Sequence, residues 1–389
     1  MNEVLALGIV LLIGAGGGFL AKRVRLPSVT GYLIGGIVVG PSVLGLLPTD
    51  VLYELEPINQ LALGIIALTI GGELRISTLR RLGSDISRVF IVEAAITFTF
   101  ILVTSIVLGA PGSLALVLAT LGIATAPGAI MACVREVPSK SSFCRVLLTT
   151  VALDNLLAIA LFGVLVSLLQ VGTMASLGLF TFSWLLVRSL LLASLLGGLA
   201  GIFLTAISIK TQNASVILVT ALGCVLVTVG AADILDVPAL LAAMVAGAVL
   251  ANASPSPQRL FRSLETIEAP ILVAFLTLAG LKLDFSVLPT VGILGIGYIG
   301  ARFMGKAIGS RLGAQLTNMP MSWKRNIGFA LTPQAGVAIG LSVIAEQKLP
   351  FAPGTITTLI LGAVVVFEIV GPVLVKRALT IAGSEEGER

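Results

Sequence analysis

The chain has 389 residues, of which 57% are hydrophobic and only 11% charged, with a formal net charge of +5 and a mean hydropathy of +1.10. A soluble domain is about a quarter charged, so this chain cannot cover a water-facing surface, and it carries far too much apolar side chain to be disordered. It contains no histidine, which removes histidine catalysis and the commonest metal ligand.

A transmembrane helix needs about 20 apolar residues. In chain order, such spans are predicted at 4–21, 27–46, 57–74, 89–109, 113–133, 146–169, 182–206, 214–231, 238–253, 269–283, 289–309, 326–345 and 352–375. The fold class this implies is an all-α polytopic membrane protein of about thirteen transmembrane helices, a single transmembrane unit over 1–389 with no soluble domain. No cleavable signal peptide is recognised, because Glu3 precedes the first span and Lys22, Arg23 and Arg25 follow it.

Positive residues recur after every odd-numbered span: Arg75, Arg80, Arg81 and Arg88; Arg135, Lys140 and Arg145; Lys210; Arg259 and Arg262; Lys306, Arg311, Lys324 and Arg325; and finally Lys376 and Arg377. The opposite ends carry mainly acids, among them Asp50, Glu56, Asp233, Asp236, Asp284 and Glu346, with Arg188, Lys282 and Lys348 as exceptions. By the positive-inside rule the N-terminus lies outside a cell (inner) membrane and the C-terminus in the cytoplasm. The basic excess is thus a membrane signal, and no nucleic-acid partner is expected. Cys133, Cys144 and Cys224 lie in apolar surroundings without a metal spacing, so they are expected to be packing residues. No cofactor is expected.

The spans repeat. Pro238 to Gly247 in span 9 resembles Pro27 to Gly36 in span 2, Leu276-Thr277 in span 10 resembles Leu68-Thr69 in span 3, and Thr332-Pro333 in span 12 resembles the Thr125–Pro127 stretch of span 5. The offsets lie near 210 residues. The step is seven spans, an odd number, so corresponding helices cross in opposite directions. Two inverted repeats, at about 1–170 and 214–377, are expected around a linker helix at about 182–206. That plan is common in secondary transporters, with the substrate site at the repeat interface.

Spans 5 and 12 each carry a central Pro with Gly nearby: Pro127-Gly128 and Pro333 with Gly336. Proline removes a backbone donor and clashes with the preceding turn, so two discontinuous helices that cross are expected. Simple kinks are the alternative. Span 6 holds Asp154 and Asn155 about halfway along an apolar helix, with Thr150 one turn earlier. Ionisable groups at this depth are costly and usually functional. Hard oxygen ligands from Asp154, Asn155, Thr125, Thr150 and Gln334 suit an alkali cation, and the same carboxylate can take a proton; no other metal is expected. A hydrogen-bonded polar pair is the alternative. Arg302 in span 11 needs an anionic or carbonyl partner, with Glu93 and Asp154 as candidates. Glu93 and Glu368 are expected to bond across helices. No nucleophile–base–metal set appears, so an enzyme is not expected.

The run Leu26-Pro27-Ser28-Val29-Thr30-Gly31-Tyr32, with Gly35-Gly36 and Gly40-Pro41-Ser42 after it, resembles the second-span signature of the monovalent cation:proton antiporter-2 family. That family contains NapA-like sodium/proton antiporters and is related to Kef-type membrane domains. The Thr-Ala-Pro break, the Asp154-Asn155 pair, Arg302 to Lys306 and Thr332 to Gly336 fit the same resemblance. It implies a homodimer, a core with two crossed broken helices, elevator-type alternating access, and an antiporter in which the polar pair of span 6 binds Na⁺ (or K⁺ or Li⁺) and H⁺ in competition. The small residues of spans 2 and 9 are expected near the dimer interface. One departure stands out: Asn155 occupies the position of the family's main ion-binding carboxylate. Since Asn155 cannot titrate and Arg302 stays protonated, Asp154 alone is left to alternate between cation and proton, which makes exchange electroneutral. Asn155→Asp is expected to restore the family's carboxylate. The alternatives are a sodium-coupled organic-anion symporter of similar fold and an ion-binding relative that does not transport.

Overall fold

The computed structural model describes residues 2–23, 28–41, 43–47, 55–136, 142–171, 179–281, 288–349 and 354–387. Arg25, Leu26, Pro27, Ser42, Asp50, Lys140, Lys282 and Asp284 of the sequence arguments lie outside the described residues. The described residues form an all-helical protein. In order the helices are α1 (Glu3–Arg23), α2 (Ser28–Val39), α3 (Glu56–Glu73), α4 (Ile76–Val107), α5 (Gly112–Ile123), α6 (Pro127–Glu136), α7 (Ser142–Val171), α8 (Leu179–Lys210), α9 (Ala214–Ile234), α10 (Ala239–Ala253), α11 (Pro257–Leu281), α12 (Leu288–Gln315), α13 (Met321–Ala330), α14 (Gly336–Lys348) and α15 (Thr355–Gly387).

Each predicted span coincides with a helix or, at spans 5 and 12, with a helix pair. Among the described residues, eight helical stretches are long and apolar enough to cross a membrane, and Thr30–Val39 and Ala239–Ala253 are shorter apolar helices. Helix α2 stops at Val39 and not near residue 46, because Gly40 and Pro41 follow and proline cannot continue a helix. Helix α4 begins at Ile76, well before the predicted 89. Its first turns carry Arg80, Arg81, Asp85 and Arg88, so hydropathy marks only the part suited to lipid while the backbone hydrogen-bond ladder runs on.

The chain divides into two compact units. The first comprises Met1–Gly17, Tyr32–Ile76 and Ile159–Leu281; the second comprises Gly18–Gly31, Ser77–Ala158 and Lys282–Arg389.

In the first unit α10 packs against α3, α8 and α9, around a core that includes Ile65, Leu68, Leu204, Val225, Ala246 and Leu250. A second core joins Ala6, Val10 and Val39 to Ala274 and Leu278. Two backbone crossings are close enough that no side chain fits. A methyl group on Gly36 would strike the carbonyl of Thr277, and one on Gly280 the carbonyl of Leu33. Equally, a methyl group on Gly247 would strike the carbonyl of Leu68, and one on Gly71 that of Met244. Gly247 and Met244 lie 211 residues after Gly36 and Leu33, while Thr277 and Gly280 lie 209 after Leu68 and Gly71. The same reciprocal crossing thus occurs twice at the repeat offset. Nine of the fifteen residues of α10 are buried inside the unit, so span 9 exposes little apolar side chain. Exposed apolar side chains lie instead on α1, α8 and α9, for example Leu12, Leu195, Leu199 and Val227.

The second unit holds the two broken helices. Helix α5 ends at Ile123, the chain unwinds over Ala124–Ala126, and α6 restarts on Pro127, where a missing N–H costs nothing. Helix α13 ends at Ala330 and α14 restarts at Gly336 after an unwound stretch containing Pro333. The core on this side includes Phe143, Leu147, Trp323, Ile327 and Val375, with the Phe143 and Trp323 rings 5.5 Å apart, and also takes in Cys133 and Cys144. Helices α4 and α12 approach through a glycine ladder. Methyl groups on Gly305, Gly309 and Gly313 would lie 2.6, 2.9 and 2.8 Å from the Cα atoms of Thr97, Glu93 and Val89. That spacing is the small-residue contact favoured between helices in lipid, and it brings α12 close enough to α4 for the Lys306 ammonium to reach the Glu93 carboxylate at 2.9 Å.

Candidate functional site

The two unwound stretches meet. The Ala126 N–H, which has no turn behind it to bond, donates to the Pro333 carbonyl at 2.9 Å. Unwound backbone leaves carbonyls unpaired, and in an apolar interior each would cost about 1–3 kcal/mol. Arg302, completely buried, supplies them. Its Nε donates to Gly122 O at 3.0 Å, Nη1 to Thr332 O at 2.6 Å, and Nη2 to Ala124 O at 2.8 Å and, more weakly, to Pro333 O at 3.4 Å. The guanidinium also lies 4.5 Å from the centre of the Phe367 ring. A planar fork of donors is the group able to bridge both breaks at once. Of the partners the sequence offered for Arg302, the carbonyls hold; Glu93 and Asp154 do not bond to it.

Those two acids belong to Lys306. Read from sequence as a basic residue at the cytoplasmic exit of span 11, Lys306 is instead completely buried. Its three ammonium hydrogens have three acceptors: Ile123 O at 2.7 Å, Asp154 Oδ2 at 2.8 Å and Glu93 Oε1 at 2.9 Å. Ser310 Oγ bonds to the Lys306 carbonyl one turn on. The correction has a simple origin. Lys306 lies one helical turn from Arg302 on α12 and shares its face, but a span boundary drawn by hydropathy places any lysine near its end in the interface, where such residues usually snorkel. The pattern Arg302-x-x-x-Lys306 next to the small Gly305 was the available signal.

Asp154 lies on α7 at the first break. Its Oδ2 also accepts the Thr125 hydroxyl at 2.8 Å, while its Oδ1 has no hydrogen-bond partner among the described residues. Glu93 on α4 accepts from Thr97, one turn further along, at 2.8 Å, and its Oε2 is likewise unpartnered there. Asn155 faces the unwound backbone itself. Its Nδ2 donates to Thr125 O at 2.8 Å and its Oδ1 accepts from Thr125 N at 3.2 Å. An amide carries both a donor and an acceptor and can complete both backbone bonds of one residue; a carboxylate has only acceptors. Asn155→Asp therefore removes the bond to Thr125 O and sets an anion against that carbonyl. The variant is expected to melt lower than wild type, by the equivalent of about 1–3 kcal/mol, in a detergent melting curve. An unchanged or higher melting point would remove this backbone role.

The other expected ligands divide. Gln334, within the second break, donates from Nε2 to Leu121 O at 3.1 Å and to Tyr298 Oη at 2.7 Å, and its Oε1 has no partner among the described residues. Thr150 is buried, but its hydroxyl donates to Val146 O of its own helix at 2.9 Å, so it is not drawn into the cluster. Pro333 packs on Gly371 of α15, where a methyl group would lie 2.9 Å from Pro333 Cγ. Gly128 has open space around it, and Gly336 simply begins α14. Glu368 is buried on α15 and its Oε1 has no partner among the described residues.

Counted in their usual ionised states, Asp154, Glu93, Lys306 and Arg302 sum to zero. Four buried charges are poor stabilisers, because desolvation offsets much of their attraction. Buried ionisable groups of this kind, beside backbone broken out of two helices, are costly, and within a membrane such groups are usually functional.

Residues 8–380 match the family model described as sodium/hydrogen exchanger, transmembrane. None of the curated proteins compared with the chain matches it. Among solved structures, the chain is similar to that of the sodium proton antiporter MjNhaP1 from Methanocaldococcus jannaschii at pH 8, with a TM-score of 0.77, 20% identity, and coverage of 98% of this chain and 99% of that chain. It is also similar to the electron-microscopy structure of that antiporter, with a TM-score of 0.70 and 18% identity over 100% of this chain and 99% of that chain. At these identities the likeness is one of fold.

Proposed function

The chain belongs to the transmembrane sodium/hydrogen exchanger family, and from that premise we propose that it is a multi-pass membrane antiporter exchanging Na⁺ for H⁺ at the Asp154–Lys306–Glu93 cluster. The observation that carries this reading is the buried ammonium of Lys306 shared between two carboxylates, 2.8 and 2.9 Å away, against the unwound Thr125. Each carboxylate keeps one oxygen without a hydrogen-bond partner among the described residues. A cation binds through Asp154 and the oxygens around Thr125, displacing the ammonium contact, and a proton leaves the cluster.

Neutrality fixes the ratio. A neutral buried cluster that gains one cation stays neutral only by losing one proton, and a net charge at this depth is expensive. With both carboxylates ionised and Arg302 always protonated, the proton these four groups can give up is that of the Lys306 ammonium. Sequence alone left Asp154 as the group alternating between cation and proton; the ammonium beside it adds a proton carrier, and the proposed exchange remains electroneutral. The site then carries the same charge with cation and with proton bound, so the membrane potential does no work on the cycle. Each net charge moved would otherwise contribute about 2.3 kcal/mol per 100 mV.

The test is exchange in proteoliposomes with an internal pH dye, adding Na⁺, Li⁺ and K⁺ in turn. Na⁺-driven proton movement is expected, with a rate and end-point unchanged by an imposed potassium–valinomycin potential. A voltage-dependent end-point would show that a net charge moves per turnover. No proton movement with any cation would remove the antiport reading and favour an ion-binding, non-transporting role; the organic-anion symport reading would need sodium uptake without proton movement.

Several finer points are part of the proposal. The sequence resemblance at residues 26–42 supports the cation:proton antiporter-2 branch. The paired helix breaks and the reciprocal crossings at offsets of 211 and 209 support two inverted repeats and thirteen crossings, with α8 as linker. The division of the chain into two units, with every member of the ion cluster in one of them, supports elevator-type movement. Charge alternation supports an outside N-terminus and a cytoplasmic C-terminus in the inner membrane. A homodimer would use the exposed apolar faces of the first unit.

A further inference from the structure

Two adjoining cavities in the second unit take no part in the ion cluster. The larger, about 550 Å³, is lined by Arg311 of α12, by Met321, Arg325 and Phe329 of α13, and by Ile381 of α15. The smaller, about 220 Å³, shares Phe329 and Ile381 and adds Leu374 and Arg377 of α15. The elements fix the place. Arg311 lies in the last turns of α12, Met321 opens α13, and Arg377 and Ile381 lie in the last third of α15. Chain ends of three helices converge there, so the cavities belong to a membrane face and not to its midplane.

The chemistry of the lining is one-sided. Arg311, Arg325 and Arg377 contribute three positive charges, and no acidic residue among the described ones lines either cavity. None of the three guanidiniums makes an ion pair or hydrogen bond among the described residues. Nearby Lys324 differs, being tied to the Thr317 carbonyl at 2.7 Å. Helix α13 is preceded at its N-cap by Pro320, which makes no side-chain capping bond, so the positive end of the helix dipole adds to the same field. Beside these donors lie Met321, which is 60% exposed, and Ile381, 37% exposed, with Phe329 and Leu374. A soluble anion would use the arginines and gain nothing from the apolar wall. A ligand that is anionic at one end and apolar at the other uses both, and the surrounding bilayer supplies one.

We propose that these cavities bind one anionic phospholipid, its phosphodiester group among Arg311, Arg325 and Arg377 and the start of its acyl chains against Met321, Phe329, Leu374 and Ile381. The lipid is a bound component and the proposal does not depend on which ion is exchanged.

The test uses the full chain, purified and delipidated in mild detergent, and native mass spectrometry with equal amounts of dioleoyl-phosphatidylglycerol and dioleoyl-phosphatidylcholine. Wild type is expected to retain one phosphatidylglycerol per protomer in preference to phosphatidylcholine by at least about tenfold, the scale that basic residues at a membrane surface supply. The combined variant Arg311→Gln, Arg325→Gln, Arg377→Gln loses that preference, with its fold checked by a melting curve. Should that variant fail to fold, Arg325→Gln alone, on an exposed side chain, should still lower the preference measurably. Millimolar inorganic phosphate should leave the lipid bound. Equal retention of both lipids by wild type, an unchanged preference in a folded variant, or displacement by phosphate would each overturn the proposal, the last in favour of a soluble-anion site.

Discussion

Asp154→Asn is expected to bring cation-driven proton movement below detection while leaving a folded protein. The side chain keeps its size and its acceptor for the Thr125 hydroxyl, so packing at the first break changes little. What changes is charge. Lys306 keeps Glu93 and the Ile123 carbonyl as acceptors, but the cluster now carries one positive charge in excess, and an incoming cation would raise that to two. Loss of one partner from a buried charge pair is destabilising, here by about 1–3 kcal/mol because a second carboxylate remains. Pairing the change with Lys306→Met separates the two consequences. The double variant restores neutrality and is expected to recover much of the lost thermal stability, yet not exchange, because the carboxylate proposed to take the cation is still missing. Flux in vesicles of confirmed insertion and a melting curve read the two effects independently. Wild-type-like exchange from Asp154→Asn would remove this carboxylate from the mechanism. Recovery of exchange in the double variant would place the ion elsewhere.

The path from sequence to site was open where physics acts locally and closed where it acts at a distance. Hydropathy located the helices because lipid permits few charges within a span, and it misplaced the starts of α4 and the end of α15 because helices continue past the lipid-compatible stretch. The breaks were legible because Pro127 and Pro333 each delete a backbone donor, and no neighbouring helix is needed to see it. Asp154 was legible as the lone Asp within an apolar span. Its cation was not. Arg302 and Lys306 share a face of α12, and composition cannot say which of two cations turns to a carboxylate and which to carbonyls. That choice depends on the glycine ladder at Gly305, Gly309 and Gly313, which sets the separation of α12 from α4 and brings Lys306 within reach of Glu93. Asn155 shows the same limit. From a family pattern it is a missing carboxylate; from the structure it is the amide that completes both backbone bonds of Thr125.

The variant expected to harm the fold most is Arg302→Met. Methionine fills a similar volume and keeps the contact with Phe367, so the loss is polar. Four carbonyls, those of Gly122, Ala124, Thr332 and Pro333, lose a charged donor. Among the described residues, only Pro333 O retains another partner, the Ala126 N–H at 2.9 Å. The remaining three are left at the centre of an apolar unit, at about 1–3 kcal/mol each. The cluster also becomes net negative, with Asp154 and Glu93 against Lys306 alone. Part of this relaxes as the broken ends rewind or admit water, so the expected net loss is on the order of 5 kcal/mol, enough to lower the melting temperature by roughly 10 °C. Arg302→Lys should fall between, because an ammonium is a point charge with three donors and cannot fork across two breaks. Together the two variants distinguish a backbone clamp from a mere counter-ion. If charge alone mattered, lysine would rescue fully. If the clamp matters, Arg302→Lys loses several degrees although every charge in the cluster is conserved. A melting temperature for Arg302→Met within a degree or two of wild type would mean that the unwound carbonyls are satisfied without the guanidinium, and that Arg302 does not hold the two breaks together.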